Sequence, residues 1–473
     1  FFGGDPDNFE FPRYDLDICF FRAYENDKPA KVEHFLKWSE AGAGDDELVF
    51  VSGHPGRTNR LNTVAHLKFL RDRVMPLSLN VLRRREVMLR NYSDRSHENA
   101  RRAQDDLFSY QNSRKARLGG LAGLQDPAIM NDKQQAESKL RKAVTSDSKL
   151  NGQYGDAWKQ VDAALSTWGD IYRDWYLLEG DPRGGAQAFN TDLFRIARMI
   201  VRLTAESEKP NAQRLREYAE AGLDSLKQQL YSEAPIYSDL EIAKLADSLG
   251  MYEELVGGDD AFLHTVLNKQ SPIQRAAELV EKSGLADVAT RRKLVEAGRK
   301  AVYAADDPMI KLARLVDDPA RRLRKTYEEQ VQEPLQQAYG KLAKAQFAIY
   351  GGNNYPDATF TLRLAFGVVK GYQERGEQVP PWTTMGGAYK HAQDHGDVPP
   401  FQLPERWFER RKALRAETPF NFVSTADIIG GNSGSPVVNR RGELVGIIFD
   451  GNIQSLVLDF VYTDKQARAV SVH

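Results

Sequence analysis

Only one cysteine, Cys19, occurs in 473 residues, which excludes an internal disulfide and any cysteine-based metal cluster. Its neighbours Ile18 and Phe20 make a small buried strand position the expected setting for that thiol. An excess of one charge sign is also lacking: 65 Lys and Arg oppose 66 Asp and Glu, a formal net charge of −1. So balanced a surface creates no field for holding nucleic acid or an anionic membrane, and neither partner is expected. No apolar run approaches the roughly 20 residues of a membrane span, and Phe1 to Arg13 lacks the basic and apolar regions of a signal peptide. With 41% hydrophobic residues the chain exceeds what one core absorbs, about 250–300 residues, so two or three folded units are expected.

The text of the chain changes character twice. A Gly/Pro/Asp-rich opening leads into Ile18 to Tyr24, aromatic and β-branched, which predicts loop then strand. Leu48 to Val51 predicts a second strand, stopped by Ser52-Gly53-His54-Pro55-Gly56. From about Thr63 to Tyr350, charged residues interleave with Leu, Ala and Ile at three- and four-residue spacing, which is helical. Leu193, Ile196, Ala197, Ile200 and Leu203 form one apolar stripe behind Asn190-Thr191-Asp192, an N-cap candidate with a first-turn acid. Breaks are expected at Pro76, Gly119-Gly120, Gly184-Gly185, Gly257-Gly258 and Pro334, with no solenoid period. Beyond Gly351-Gly352-Asn353-Asn354, a helix stop, the period becomes 2: Phe360, Leu362, Leu364, Phe366 and Val368 alternate with smaller or polar residues. Pro436-Val437-Val438 and Glu443 to Phe449 flank Asn439-Arg440-Arg441-Gly442, which predicts a hairpin with glycine at positive φ. β-text on both sides of a helical block implies a helical insertion into a β-domain, the alternative being three independent units.

Gly430-Gly431-Asn432-Ser433-Gly434-Ser435-Pro436 is the candidate chemical centre. A serine hydroxyl attacks only when exposed on a tight turn, and glycines permit that turn and let a substrate backbone approach. Ser433 fits the nucleophile, with the amides of Ser433 and Gly431 as oxyanion donors in a G-x-S-G spacing; a plain Gly/Ser turn is the alternative. Asp17 has the right chain order for a triad aspartate of the His, Asp, Ser type, although on spacing alone it reads equally as a loop cap.

The stretches GGDPDNFEFPRYDLD, FVSGHPGRTNR, NFVSTADIIGGNSGSPVVNRRGELVG and IIFDGN resemble the dipeptidyl-peptidase 7 and 11 family of bacterial serine exopeptidases. The resemblance implies an α+β fold: a chymotrypsin-like double β-barrel, its first barrel largely missing from this chain, with a large α-helical domain inserted in the second barrel and capping the active site. It implies the end of the first barrel over 1–40, the start of the second over 41–62, the helical insertion over 63–350 and the rest of the second barrel over 351–473. It makes Asp17 the triad aspartate and Ser433 the nucleophile, and puts Asn8 and Asp450, with Phe9 beside them, at a clamp for the substrate's free α-amino group. A carboxylate about 7 Å along an extended peptide from the nucleophile measures off a dipeptide. Gly451 stands where acid-specific members carry arginine, so the resemblance is to dipeptidyl-peptidase 7, with an uncharged P1 pocket left roomy by that glycine and a preference for apolar P1 residues. No metal or organic cofactor is expected. A periplasmic or exported homodimer acting on peptides is the inherited expectation.

Two aromatic positions depart from the family pattern: Phe9 stands where tryptophan is typical, and Tyr14 where histidine is common. All eight histidines follow Asp17, so the triad histidine is expected upstream, in a longer precursor. His54 lies on the wrong side for that role, and His391 and His395 are expected on a loop, given Gly396, Pro399 and Pro400, rather than as a metal pair. A trypsin-like endopeptidase and a non-catalytic peptide-binding pseudo-peptidase are the competing functions.

Overall fold

The computed structural model describes residues 6–180, 185–353 and 356–473; Gly184 and Asn354, two of the expected breakers, lie outside them. The chain divides into two compact units, one of Phe1–Leu79, Phe108–Gly155 and Leu342–His473, the other of Asn80–Leu107 and Asp156–Lys341.

In the first unit a seven-stranded antiparallel sheet is formed by β1 (Leu48–Gly53), β2 (Arg363–Val368), β3 (Trp382–Thr384), β4 (Pro419–Ser424), β5 (Pro436–Val438), β6 (Leu444–Gly451) and β7 (Ala469–Val472). Their order is β2-β1-β5-β6-β7-β4-β3. The sheet curls, because Val369, just past β2, bridges back to Ser424 at the end of β4. Val49, Val51, Phe422, Val437, Val445 and Ile448 fill its concave side, each fully buried apolar side chain contributing roughly 1.5–3 kcal/mol. The β5-β6 hairpin forms as expected, with Gly442 at φ 71°.

Two strand expectations are corrected. Ile18 to Ala23 joins no ladder, and only Tyr24–Glu25 pairs, with Lys28–Pro29. Without a laddered neighbour or covering layer among the described residues, Phe20 and Phe21 are exposed, and so is Cys19, which is not a core residue. The alternating run at Phe360 begins its strand only at Arg363. There the small residues Ala365 and Gly367 face the core while Leu364 and Phe366 are exposed, because Gly367 lies against the Thr425-Ala426 backbone, which a side chain would strike.

Helices occupy most of 64–350 in the two units. Thr191 caps Asp192–Ser207 by accepting the Phe194 N–H, and the predicted apolar stripe is buried. Pro76 and Pro334 do not break their helices. Each follows a π turn, Leu70–Val74 and Glu328–Gln332, whose wider winding accommodates a ring that lacks an N–H. Gly119-Gly120 likewise lies inside the unbroken helix His97–Gln125. These glycines serve close approach: a Cβ at Gly119 would sit 2.3 Å from Leu456 Cδ1 and 2.9 Å from its Cβ, and one at Gly123 would sit 2.9 Å from Val457 Cγ2. The helix thereby lies directly on the 3-10 segment Ile453–Asp459 that follows β6.

Gly119→Ala is therefore expected to destabilise by about 1–3 kcal/mol through overpacking, although alanine is the better helix former. Gly152→Ala, on the exposed helix Ser148–Tyr154 with nothing within 4 Å of the added Cβ, should instead stabilise by up to ~1 kcal/mol. Urea unfolding of the two variants reads the difference, and equal signs would refute the close-approach account.

Candidate active site

Residues Ile429–Ser435 form a tight turn leading into β5. Asn432 donates its N–H to the Ile429 carbonyl (3.1 Å) and accepts the Ile429 N–H on its side chain (3.2 Å). The turn is fastened to β6 because Gly434 donates to the Ile448 carbonyl (2.7 Å) and Ile448 donates to the Ser435 carbonyl (3.1 Å). Ser433 is exposed at its apex, its hydroxyl donating to the Phe449 carbonyl at 3.3 Å. Gly431 has φ 107° and a Cβ there would stand 2.2 Å from the His54 carbonyl oxygen, so only glycine fits. Among the described residues the N–H groups of Gly431 and Ser433 donate no hydrogen bond, while those of 432, 434 and 435 all do. Two free amides beside an exposed hydroxyl are what an oxyanion needs.

Sixteen residues past Ser433, Phe449 interrupts the β6-β7 ladder: Ile448 faces Ser471 and Asp450 faces Val470. The extra residue is a bulge, which turns the Phe449 carbonyl to Ser433 and re-aims the next side chain. Asp450 is buried. Its Oδ2 accepts the Phe9 N–H (2.9 Å) and Arg13 Nη1 (2.9 Å), and its Oδ1 accepts the Gly451 N–H (2.8 Å). Phe9 holds φ 61°, rare for a bulky residue, in the turn that delivers its amide. Asn8, also buried, donates Nδ2 to Asn112 Oδ1 (2.8 Å), while Lys115 holds the Asn8 carbonyl (3.2 Å). Asn8, Phe9 and Asp450 are thus brought together across more than 440 residues of chain. Gly451 is buried, and it is closely packed on the side where a Cβ would stand, 2.2 Å from Ser455 Oγ.

No described contact joins Asp17 to Ser433. Asp17 is half-buried between Leu16 and Ile18, which line a groove with Trp38 and Ile447 that Asp17 itself does not line. No histidine ring among the described residues bonds Ser433. The His54 ring lies against Phe360. His391 and His395 are not on a loop: they sit on and at the end of the helix Met385–Asp394, with His391 Nε2 2.8 Å from Asp7 Oδ2. No His/Cys/Asp/Glu group among the described residues could hold a metal ion.

A family model described as Peptidase S46 matches residues 1–473. The chain belongs to peptidase family S46. The expected kinship with the dipeptidyl-peptidase 7 and 11 enzymes is met: the chain is 28% identical to an Asp/Glu-specific dipeptidyl-peptidase of Shewanella putrefaciens and 26% identical to a dipeptidyl-peptidase 7 of Phocaeicola vulgatus. Both matches cover all of this chain, and 69% and 67% of the relatives. The crystal structure of Porphyromonas endodontalis DPP11 in complex with the dipeptide Arg-Glu superposes with TM-score 0.76 at 21% identity, over all of this chain and 69% of that one. The curled sheet and the helices therefore have the fold of that enzyme.

In this S46 chain the turn that carries Ser433 rests on residues that the sequence pattern did not single out. Gly56 in the SGHPGRTNR turn donates its N–H to the Gly430 carbonyl (2.7 Å). Arg60 forks onto Asp427 (2.5 and 2.7 Å) and donates Nε to the Leu458 carbonyl (2.7 Å), tying together the segments that precede Ser433 and follow Asp450. Asp357 accepts the Thr58 hydroxyl and the N–H groups of Arg60 and Leu61. Asn59 donates to Asp459 Oδ1 (2.9 Å). Burial pushes the Asp459 carboxyl up to about 6 despite the bonds from Asn59. Arg60 stands within a quoted motif, so the signal is present; its partners Asp427 and Leu458, 367 and 398 residues away, are not readable from sequence.

A raised carboxyl favours folding while protonated, so its contribution is full below the unfolded value near 3.8 and is lost as pH rises through about 6. Asp459→Asn should remove that loss. The variant's unfolding free energy relative to wild type is expected to grow by on the order of 2 kcal/mol between pH 4 and 7 and then level, as read by denaturant titration. A flat difference would show that Asp459 is ionised in the fold throughout.

Proposed function

We propose that the protein is a serine dipeptidyl-peptidase that releases N-terminal dipeptides from peptides with a free α-amino group. The observation carrying this is the one-residue step on β6 from Phe449, whose carbonyl accepts the Ser433 hydroxyl, to Asp450, the buried carboxylate. An extended dipeptide spans about 7 Å, so an ammonium bound there places the second peptide bond at Ser433. Ser433 attacks that carbonyl, its proton passing to a histidine that Asp17 orients, a reading supported by the His, Asp, Ser order of chymotrypsin-type triads. The Gly431 and Ser433 amides take the developing oxyanion, Asn8 and Asp450 hold the ammonium, and Phe9 forms the wall beside it. An endopeptidase has no use for a buried carboxylate one residue from the carbonyl that holds its nucleophile.

The double-barrel architecture, with a helical domain inserted in the second barrel over 63–350, is part of this proposal, as are peptide substrates, a homodimer and a periplasmic or exported location. No described helix is long and apolar enough to cross a membrane. For P1 we propose an apolar preference. Gly451 contributes no charge, and the buried Arg468 guanidinium is committed to the carbonyls of Lys370, Gly371, Asp464 and Ala467. Relatives at 26–28% identity carry both family names, one of them Asp/Glu-specific, so this reading rests on the chemistry of these residues alone.

In the full-length protein, Ser433→Ala should abolish hydrolysis by about a million-fold with folding intact; activity within tenfold of wild type refutes the nucleophile. N-acetylated substrates should be refused by the wild type and discriminated less by Asp450→Asn. Across dipeptidyl substrates differing only at P1, kcat/KM should be higher for Leu, Met or Phe than for Asp or Glu, and the reverse order would sink the P1 reading.

A further inference from the structure

The clamp carboxylate meets its ligand already engaged. A carboxylate offers about four acceptor sites, and Asp450 has three filled: two on Oδ2, by Phe9 N–H and Arg13 Nη1, and one on Oδ1, by Gly451 N–H. Among the described residues a single site on Oδ1 remains for an incoming ammonium. Arg13 is itself buried, with its guanidinium also on the Asp7 carbonyl and Asp15 Oδ2 and 5.4 Å from the Phe449 ring centroid. It therefore touches the loop that carries Asn8 and Phe9, the bulge residue and the carboxylate at once.

We propose that Arg13 is the positioning residue of the amine clamp, fixing the Asp450 carboxylate as an anion whose Oδ1 edge alone is presented to the substrate's ammonium. This rests on the dipeptidyl-peptidase reading of Asp450. Burial drives the Asp450 carboxyl above its usual value, and the adjacent Arg13 opposes that push, so losing the guanidinium would move the carboxyl further toward its protonated form. The other charged groups facing the site are engaged elsewhere. Asp15 pairs with Arg13, the Asp7 side chain with His391, Lys115 with the carbonyls of Pro6 and Asn8 and with Glu10, and Arg468 with backbone carbonyls. None of these replaces Arg13 as the countercharge.

The experiment is a pH profile of kcat/KM on a free-amine dipeptidyl substrate for Arg13→Met, Arg13→Lys, Asp450→Asn and the Arg13→Met/Asp450→Asn double variant, each checked by thermal melt. Arg13→Met should raise KM on the order of 10- to 100-fold at pH 7, change kcat little, and move the acid limb to higher pH by at least one unit, while the alkaline limb, set by the substrate amine, stays. In the Asp450→Asn background the same change should cost less than threefold. Arg13→Lys keeps the charge without the fork, so its acid limb should stay in place with KM raised. An unmoved acid limb in Arg13→Met, or an equal cost in both backgrounds, overturns the proposal. Should the methionine variant not fold, a wild-type KM in Arg13→Lys overturns it, and a raised KM with the acid limb in place supports it. If Asp450→Asn leaves discrimination against acetylated substrates intact, the clamp reading itself fails, which is a separate result.

Discussion

One buried carboxylate constrains both ends of the site. Asp450 has left water, and an ion so placed is tolerated only where charge and hydrogen bonds replace the lost hydration. The replacements come from Phe9, Arg13 and Gly451, so the turn of residues 7–10 must return to the end of β6 before the ion is satisfied. The fold follows from that requirement: a bulge at Phe449 to aim the side chain, a left-handed Phe9 to deliver an amide, and Asp15 stitched to Asn421 on β4 to hold the incoming segment. Removing one partner of such a pair costs about 3–5 kcal/mol, far more than the pair gains over an apolar substitute. The arrangement is thus better understood as specifying geometry than as a source of stability.

The second unit meets the same problem on a larger scale. Arg202, almost wholly buried, forks onto Glu179 (2.6 and 3.0 Å) and reaches Asp317 (2.6 Å), while Arg198 also bonds Glu179 and Arg321 bridges Asp317 and Glu206. Burial and the neighbouring Arg202 lower Arg198 to about 10, and Arg202 itself is raised, its carboxylate partners outweighing its burial. Every charge in the network has an opposite partner, which is the condition under which ions persist among packed helices. The network joins the helices Ala157–Leu178, through Glu179 at its C-cap, Asp192–Ser207 and Pro308–Tyr327 in one register.

Period and punctuation carried most of what the sequence disclosed. The 3.6 spacing behind Thr191 and the alternation about Asn439–Gly442 are local signals, and both elements formed where expected. The failures were also local readings, overruled by neighbours distant in sequence. Pro76 and Pro334 read as breakers, but a π turn before each absorbed the missing N–H. Gly119-Gly120 read as a stop because close approach to Leu456 is invisible without the fold. Ile18 to Tyr24 has strand composition, but composition supplies no ladder partner. Of the proposed site, Ser433, Asn8, Phe9 and Asp450 could be named from the sequence because glycines and a family resemblance marked them. Arg13, Asn112 and the Arg60–Asp427 fork were not, since a supporting residue has no motif of its own and its partner is fixed only by tertiary geometry.

The turn that carries Ser433 shows why those supports matter. An amide is useful to an oxyanion only if it is held in place and given to nothing else, two demands that ordinary turns do not meet together. Here the amides of Asn432, Gly434 and Ser435 are spent on Ile429, Ile448 and Asn432, which fixes the backbone on both sides of each free N–H. The Gly430 carbonyl is held from outside by Gly56, and the His54 carbonyl blocks any side chain at Gly431, so the peptide planes cannot swing to satisfy themselves. What remains unsatisfied is therefore what the fold prevents from being satisfied internally, which is the property that the proposed oxyanion role of the Gly431 and Ser433 amides requires.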